Sequence, residues 1–517
     1  MILFWLLGLF ISTEGMKLSE KTEKTKSMLP PEDLEAFTAL RGQLYAMSGI
    51  QQQIFSKSKK DGDAEYTPKN RSDDDDVKDS PMQNPNLFQG DMMLTPDQSE
   101  NVVTSLKDQL QNILKGVGDA VKELTGGLDD AIGGPVGELV SEVGNKVGGI
   151  IGSLLDNGET VSKKEKRSLK TPLSYEWAFP IKYYLSPSLA ATTRTMIDSA
   201  LADIQANTCV KYVKQASPIS GTPGINVIYS DGCWSYVGRI YSNQPQDLSL
   251  GEGCQWNGVI QHEFGHSLGL EHEQQRPDRD GSIYVYPANM MPGSEDQFVK
   301  ASVGSVKDFG VAFDMGSTML YGSYDFSSNG QKTMAPKNAN FAEDLGQYTR
   351  LSFSDFKILA FYYCNTTCAT KITCQNGGYQ NPNSCAQCLC PNGFAGTLCT
   401  GVKSTGAACG TTELKATATA QTLTKTGAIN CYFRITTDAG YKIKIIVSSY
   451  KVSTADPCVV GKGLEIKYLP DMANSGNAFC GTSTAAKTIT TATNLALIHF
   501  PGVASTHTFS LTYQRVA

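Results

Sequence analysis

Between Ser99 and Leu155 apolar residues recur at helical spacing: Val103, Leu106, Leu110, Ile113, Leu114, Val117, Val121 and Leu124. Residues three or four apart share one face of a helix, so this stretch predicts amphipathic helices. Gly126-Gly127, Gly133-Gly134-Pro135 and Gly148-Gly149 then cut the pattern into short pieces. The same period returns from Ser188 to Asn207, where Leu189, Met196, Ile197, Ala200, Leu201 and Ile204 line one side of a predicted helix. Ile181 to Leu185, Val210 to Val213 and Asn226 to Tyr229 read as short strands around it. Beyond Cys409 the period becomes two, as in Tyr441 to Val447 and Leu464 to Tyr468, and Thr-rich strands with turn signals predict an antiparallel sandwich. At the other end, Met1 to Gly15 is an apolar run closed by small and polar residues, too short to span a bilayer. It predicts a cleaved signal peptide, and no other stretch is long and apolar enough for a membrane span.

At 517 residues and 40% apolar composition the chain can hold several domains, each with its own core. A net charge of -6 gives no electrostatic case for nucleic-acid binding. Fourteen cysteines fit a secreted, extracellular protein, because disulfides persist only in an oxidising compartment. None of them lies between Met16 and Arg167, where the chain is polar, acidic and glycine-rich. Residues 16–167 therefore read as a propeptide, with Ser72-Asp73-Asp74-Asp75-Asp76 a solvated link and Asn70 in a glycosylation sequon. It closes on Lys164-Glu165-Lys166-Arg167, which looks like a basic processing site with Ser168 as the new N-terminus. A second sequon, at Asn365, follows Cys364. Six cysteines then crowd residues 368 to 399, a unit with so little apolar core that it must be stapled by disulfides or, alternatively, by zinc.

The densest chemistry is His262 to Asp280. Of five histidines in the chain, His262, His266 and His272 fall within eleven positions. On a helix His262 and His266 share a face, Gly269 can stop the helix in a left-handed turn, and the turn returns His272. Three imidazoles with one open position describe a catalytic zinc site, since a structural site would be closed by a fourth ligand, often cysteine. No cysteine lies between Cys254 and Cys364. Zinc lowers the pKa of water at the open position to about 7, and Glu263 is placed to take its proton.

The string H-E-x-x-H-x-x-G-x-x-H with a later Met-turn, here Ser317 to Tyr321, is the metzincin signature. With Glu273, Arg276, Asp278, Arg279 and the closing Tyr321 it resembles the astacin family of zinc endopeptidases. The resemblance implies an α+β catalytic domain, a mixed sheet plus the active-site helix, over residues 168–364, with one zinc. It further implies that Tyr321 is a ligand that swings away to stabilise the oxyanion, and that Glu273 anchors the amine of Ser168. Leu320 stands where the family usually has histidine. Phe88-Gln89-Gly90-Asp91 is similar to the family's propeptide motif, which implies that Asp91 fills the open zinc position in the zymogen. Cys233 to Gly238 is similar to the family's edge strand, which binds extended peptides by strand addition. Trp177, Pro180, Ile181 and Tyr183 resemble the start of the family's catalytic domains.

Four cysteines in this domain permit three connectivities; the resemblance implies Cys209 with Cys364 and Cys233 with Cys254. Residues 365–400 resemble an EGF-like module, which implies Cys368 with Cys385, Cys374 with Cys388 and Cys390 with Cys399. Residues 409–517 resemble an all-β CUB sandwich with Cys409–Cys431 and Cys458–Cys480. Gly461-Lys462-Gly463 carries no aspartate where many CUB domains bind calcium, and no protein ligand of the module can be named. The expected activity is hydrolysis of extracellular proteins or peptides, matrix or cuticle collagens among them. The alternative is an inert scaffold acting through its two C-terminal modules.

Overall fold

The computed structural model describes residues 91–93, 169–170, 173–291, 294–301 and 305–517. The predicted signal peptide, the sequon at Asn70, the residues from Phe88 to Gly90, the helical stretch from Ser99 to Leu155, Arg167 and Ser168 lie outside them.

In chain order the first half contributes β1 (Met92–Met93), β2 (Leu169–Lys170), β3 (Ile181–Leu185), α1 (Ala191–Asn207), β4 (Tyr212–Gln215), β5 (Gly224–Ile228), β6 (Cys233–Tyr236), β7 (Pro245–Leu250) and α2 (Asn257–Ser267). After short elements β8 (Ile283–Val285), β9 (Val306–Lys307) and β10 (Met334–Pro336) comes α3 (Phe353–Tyr363). A six-stranded mixed sheet runs in the order β1-β6-β7-β5-β3-β4, and only the β6–β7 pair is antiparallel. Strand β3 alternates buried and half-buried residues, as a strand with one covered face must. Helix α1 buries Ile197, Ala200, Leu201 and Ile204 against that sheet and α2.

The elements start later than the sequence predicts in two places. Helix α1 begins at Ala191, not Ser188, because Ser186-Pro187-Ser188 form a turn in which the Ser188 N–H donates to Ser186 Oγ. The strand expected at Val210 begins at Tyr212, since the Val210 N–H is taken by Thr208 Oγ1.

The small cystine-rich unit holds two two-stranded ladders, β11 (Tyr379–Gln380) with β12 (Cys388–Leu389) and β13 (Phe394–Ala395) with β14 (Gly401–Val402). Then follow β15 (Glu413–Lys415), β16 (Gln421–Thr426), β17 (Asn430–Thr436), β18 (Lys442–Lys451), β19 (Leu464–Lys467), β20 (Asn477–Phe479), β21 (Thr482–Ser483), β22 (Lys487–Thr490), β23 (Leu495–Pro501) and β24 (Thr508–Val516). They form two sheets, β15-β17-β23-β19-β20 and β16-β24-β18-β21 with β22 also on β18. Inward residues such as Phe433, Ile445, Ile498 and Phe509 are buried between the sheets, which is the sandwich the alternation predicts. The fourteen cysteines form seven disulfides: Cys209–Cys364, Cys233–Cys254, Cys368–Cys385, Cys374–Cys388, Cys390–Cys399, Cys409–Cys431 and Cys458–Cys480. No thiol is left to bind zinc in the small unit.

The sandwich is packed on the segment between α2 and α3. One apolar cluster runs from Phe326, Phe341 and Leu345 to Tyr468 and Phe479, with the Phe341 and Tyr468 rings 6.0 Å apart. Buried Asp344 accepts from the Asn477 side chain and the Ala478 N–H across the same boundary.

Helix α2 starts at a contact that admits no side chain. A Cβ on Gly258 would collide with the Tyr348 carbonyl and lie 2.7 Å from Thr349 N, whereas one on Gly281 would meet nothing within 4 Å. Gly258→Ala should therefore cost about 1–3 kcal/mol of stability and lower the unfolding temperature in calorimetry, with Gly281→Ala within about 0.5 kcal/mol of wild type. Equal unfolding temperatures for the two variants would contradict this packing.

Candidate metal centre

Every residue of α2 from Gly258 to Ser267 is buried, so any polar group on it that lacks a partner calls for an explanation. Gln261 anchors the helix: its Nε2 donates to Asp203 Oδ2 at 2.8 Å and its Oε1 accepts from the Leu351 N–H at 2.7 Å. The helix ends at Ser267, and Gly269 follows at φ +98°, a conformation that favours glycine. Its N–H donates to His266 O at 2.7 Å while the Leu270 N–H reaches Gly265 O at 2.9 Å, which closes the turn and returns the chain toward the helix at His272.

Beneath the helix lies the turn from Asp314 to Tyr321. Ser317 Oγ donates to Asp355 Oδ1 at 2.7 Å and the Thr318 N–H to Asp355 Oδ2 at 3.3 Å. Met319 is buried against Gly265, and its carbonyl accepts from the Glu273 N–H at 2.8 Å. Tyr321 follows, with its ring centroid 4.7 Å from that of His272 and 5.7 Å from those of Phe298 and Phe326. Leu320 is buried in the apolar cluster behind it.

The three imidazoles meet Asp91 in one buried cluster. Asp91 Oδ2 lies 2.9 Å from His262 Nε2 and 3.1 Å from His272 Nε2, and Oδ1 lies 3.4 Å from His266 Nε2. The opposite ring nitrogens of two histidines face carbonyls: His262 Nδ1 is 2.9 Å from Thr318 O and His266 Nδ1 is 2.7 Å from Leu270 O. A carbonyl only accepts, so both Nδ1 atoms carry the proton, and in neutral rings both Nε2 atoms present a lone pair to the centre.

Those lone pairs have nothing to bind among the described residues. His266 Nε2 and Asp91 Oδ1 are buried without a hydrogen-bond partner, and so are both oxygens of Glu263. Burial lowers His266 and pushes His272 down to about 4, despite the neighbouring carboxylate. Burial would by itself raise Asp91, yet the imidazoles around it hold its carboxyl well below the ordinary range. Burial and the Asp91 charge push Glu263 well up. Neutral imidazoles, the form that burial favours for His266 and His272, cannot supply the positive charge that holds Asp91 down, so an ionised carboxylate in this dry cavity calls for a cation. His262 and His272 Nε2 are 3.2 Å apart, close to the roughly 3.3 Å between neighbouring ligands of a tetrahedral ion with zinc–nitrogen bonds of about 2.0–2.1 Å. The donor set of three nitrogens and one oxygen fits zinc.

Two further pieces border the centre. Strand β1 lies parallel to edge strand β6, pairing Met92 with Ser235 and Met93 with Tyr236, and the Ser235 N–H donates to the Asp91 carbonyl at 3.0 Å. The edge predicted to take an extended peptide thus carries the residues that follow Asp91. On the other side, buried Glu273 accepts from the Arg276 guanidinium at 3.2 Å and from the Asp314 N–H at 2.9 Å. Burial lifts the Glu273 carboxyl to about 8 even so. Arg276 also bonds Asp278 and Asp308, and β9, which ends beside Asp308, pairs with Leu169–Lys170. Asn365 is exposed where α3 ends.

Sequence reasoning missed the supports. The carbonyls of Thr318 and Leu270 carry no side-chain signal. Asp355 does carry one, the Ser352-x-x-Asp355 capping box at the start of α3, which reads as a helix start while the same carboxylate also holds the 314–321 turn.

Residues 170–364 match the family model described as Astacin, a family of peptidases. The chain is 37% identical to zinc metalloproteinase nas-34 of Caenorhabditis elegans over 352 residues, 68% of this chain and 57% of that one. To zinc metalloproteinase nas-30 of the same organism it is 33% identical over 321 residues, 61% and 42% of the two chains. Among solved structures it is similar to high choriolytic enzyme 1, a hatching enzyme zinc-protease from Oryzias latipes, at 28% identity and a TM-score of 0.32, covering 40% of this chain and 100% of that one. The chain spans about half the length of the curated relatives it matches. Zinc is the ion that this cluster of imidazoles and the relatives' names have in common. Residues 170–364, the segment that builds the cluster, are thus an astacin-family domain within the chain.

Proposed function

We propose that this chain is a secreted zinc endopeptidase made as a zymogen, with Asp91 holding it latent. The observation that carries the reading is the convergence of three Nε2 atoms and the Asp91 carboxylate on one dry point. His262, His266 and His272 would hold the zinc, with Tyr321 a further ligand. Bound there, zinc supplies an acidified water and polarises the scissile carbonyl. Glu263 takes the proton of the attacking water and passes it to the leaving amine, the work expected of a buried carboxylate with both oxygens unengaged. The Tyr321 hydroxyl donates to the oxyanion. The substrate, an extended stretch of an extracellular protein, lies along β6 and pairs with its backbone groups.

Latency follows from a single segment. Asp91 takes the open ligand position and Met92–Met93 takes the edge strand, so the propeptide blocks chemistry and substrate binding together. Cleavage between Arg167 and Ser168 would release it, and the new amine of Ser168 would join Glu273, the carboxylate beside Arg276. The domains on this reading are 1–15 signal peptide, 16–167 propeptide, 168–364 catalytic domain, 365–400 EGF-like module and 409–517 CUB domain. No helix among the described residues is long and apolar enough to cross a membrane.

Glu263→Gln in the processed chain should lower kcat by about 10²–10⁴-fold or more on a peptide library while one zinc per chain is retained. Loss of zinc together with activity would make Glu263 a structural residue. In the uncleaved chain Asp91→Ala should release activity that wild type lacks, and a chelator should abolish it reversibly. An uncleaved Asp91→Ala chain as silent as uncleaved wild type, beside an active processed chain, would rule out the latch.

A further inference from the structure

The turn that supports two of the three imidazoles is itself supported from outside the catalytic segment. The β19–β20 loop of the C-terminal sandwich reaches the segment leading into that turn. Asn474 Nδ2 donates to Phe313 O at 2.7 Å, and its Oδ1 accepts from Ser354 Oγ, at the start of α3, at 3.1 Å. The Ser475 N–H donates to Asp314 Oδ1 at 2.9 Å, and the Gly316 N–H shares the same oxygen at 3.0 Å. The Asp314 N–H in turn donates to Glu273 Oε1.

The loop is stiff. Buried Lys467 donates to the carbonyls of Met472 and Asn474 at 3.1 and 2.8 Å, and the Gly476 N–H donates to Glu465 Oε1 at 3.0 Å. The small cystine-rich unit backs it, for a Cβ on Gly377 would lie 2.5 Å from Ala473 N. At the contact itself a Cβ on Gly316 would lie 2.5 Å from Ser475 Cβ and collide with its Oγ. Asn474 and Asp314 are almost wholly buried, so withdrawing the loop would leave the Phe313 carbonyl without its Asn474 donor and the Asp314 carboxylate with only the Gly316 N–H.

We propose that Asn474 and Ser475 are positioning residues for the metal centre, acting through Asp314 on the turn whose Thr318 carbonyl orients His262 and whose Met319 carbonyl holds the residue after His272. The sandwich is then a working part of the catalytic unit. Partners that orient a metal's histidines matter because they fix ring direction and tautomer, and losing one typically costs about 10–100-fold in metal affinity or activity. The inference rests on the zinc reading above.

Steric rescue tests it. Gly316 does not have the positive φ that a side chain would strain, so Gly316→Ala acts by pushing on Ser475, and Ser475→Gly removes both atoms it would strike. Wild type, Gly316→Ala, Ser475→Gly and the double variant, all as the processed full chain, would be compared by zinc loss to a chelator well below the unfolding temperature, and by kcat and KM on one peptide. Gly316→Ala should lose zinc about tenfold faster and lose kcat about as much with KM nearly unchanged, and the double variant should recover most of both. A Gly316→Ala chain that keeps zinc like wild type, or a double variant that recovers nothing, would overturn the proposal. A wild type that holds zinc yet cleaves no peptide would count against the peptidase reading alone, because zinc loss still decides the positioning claim.

Discussion

Two imidazoles whose protons point outward, on His262 and His266, are the constraint on which the rest depends. Because Thr318 and Leu270 offer carbonyls to His262 and His266 Nδ1, the opposite nitrogens must bring lone pairs to the centre. Asp91 adds a carboxylate. The His262 and His266 lone pairs and the Asp91 carboxylate are acceptors facing one another in a buried space, and they would repel unless a cation lies among them, so the tautomers and the metal specify each other.

That requirement explains features far from the histidines. Both carbonyls belong to tight turns, one closed by Gly269 and one braced by Asp355, and each turn is fixed by packing. Helix α2 can bring its two histidines to the turn only because Gly258 lets its start rest on the Tyr348 carbonyl and Gly265 lets its flank rest on Met319. The same turn leads back through Asp314 to Glu273 and Arg276 on one side and to the sandwich on the other. A chain of hydrogen bonds thus joins the centre to the C-terminal module and to the carboxylate cluster beside β2 and β9.

What could be read in advance follows from what a sequence encodes. His262, Glu263, His266, Gly269 and His272 are bound by helical period and one turn, both local, so their spacing alone described the centre. The sandwich was legible in the alternation of Tyr441 to Val447, because alternation is what one buried face per strand produces. Element starts were less legible: Ser186-Pro187-Ser188 and Thr208 spend hydrogen bonds on local turns that periodicity does not register. The supports were hidden for a different reason. Thr318 and Leu270 act through backbone carbonyls, and Asn474 and Ser475 act across a boundary more than 150 residues away in sequence from Asp314. Neither backbone roles nor contacts between modules leave a pattern along one chain.

The most direct test of the account is zinc-edge X-ray absorption on the uncleaved chain and on the same chain cut after Arg167. The account predicts three nitrogen ligands and an added carboxylate oxygen at about 2.0–2.2 Å in the uncleaved chain. It predicts that the carboxylate signature disappears on cleavage, and is missing from the start in Asp91→Ala. An uncleaved chain whose zinc environment is the same with and without Asp91 would contradict it.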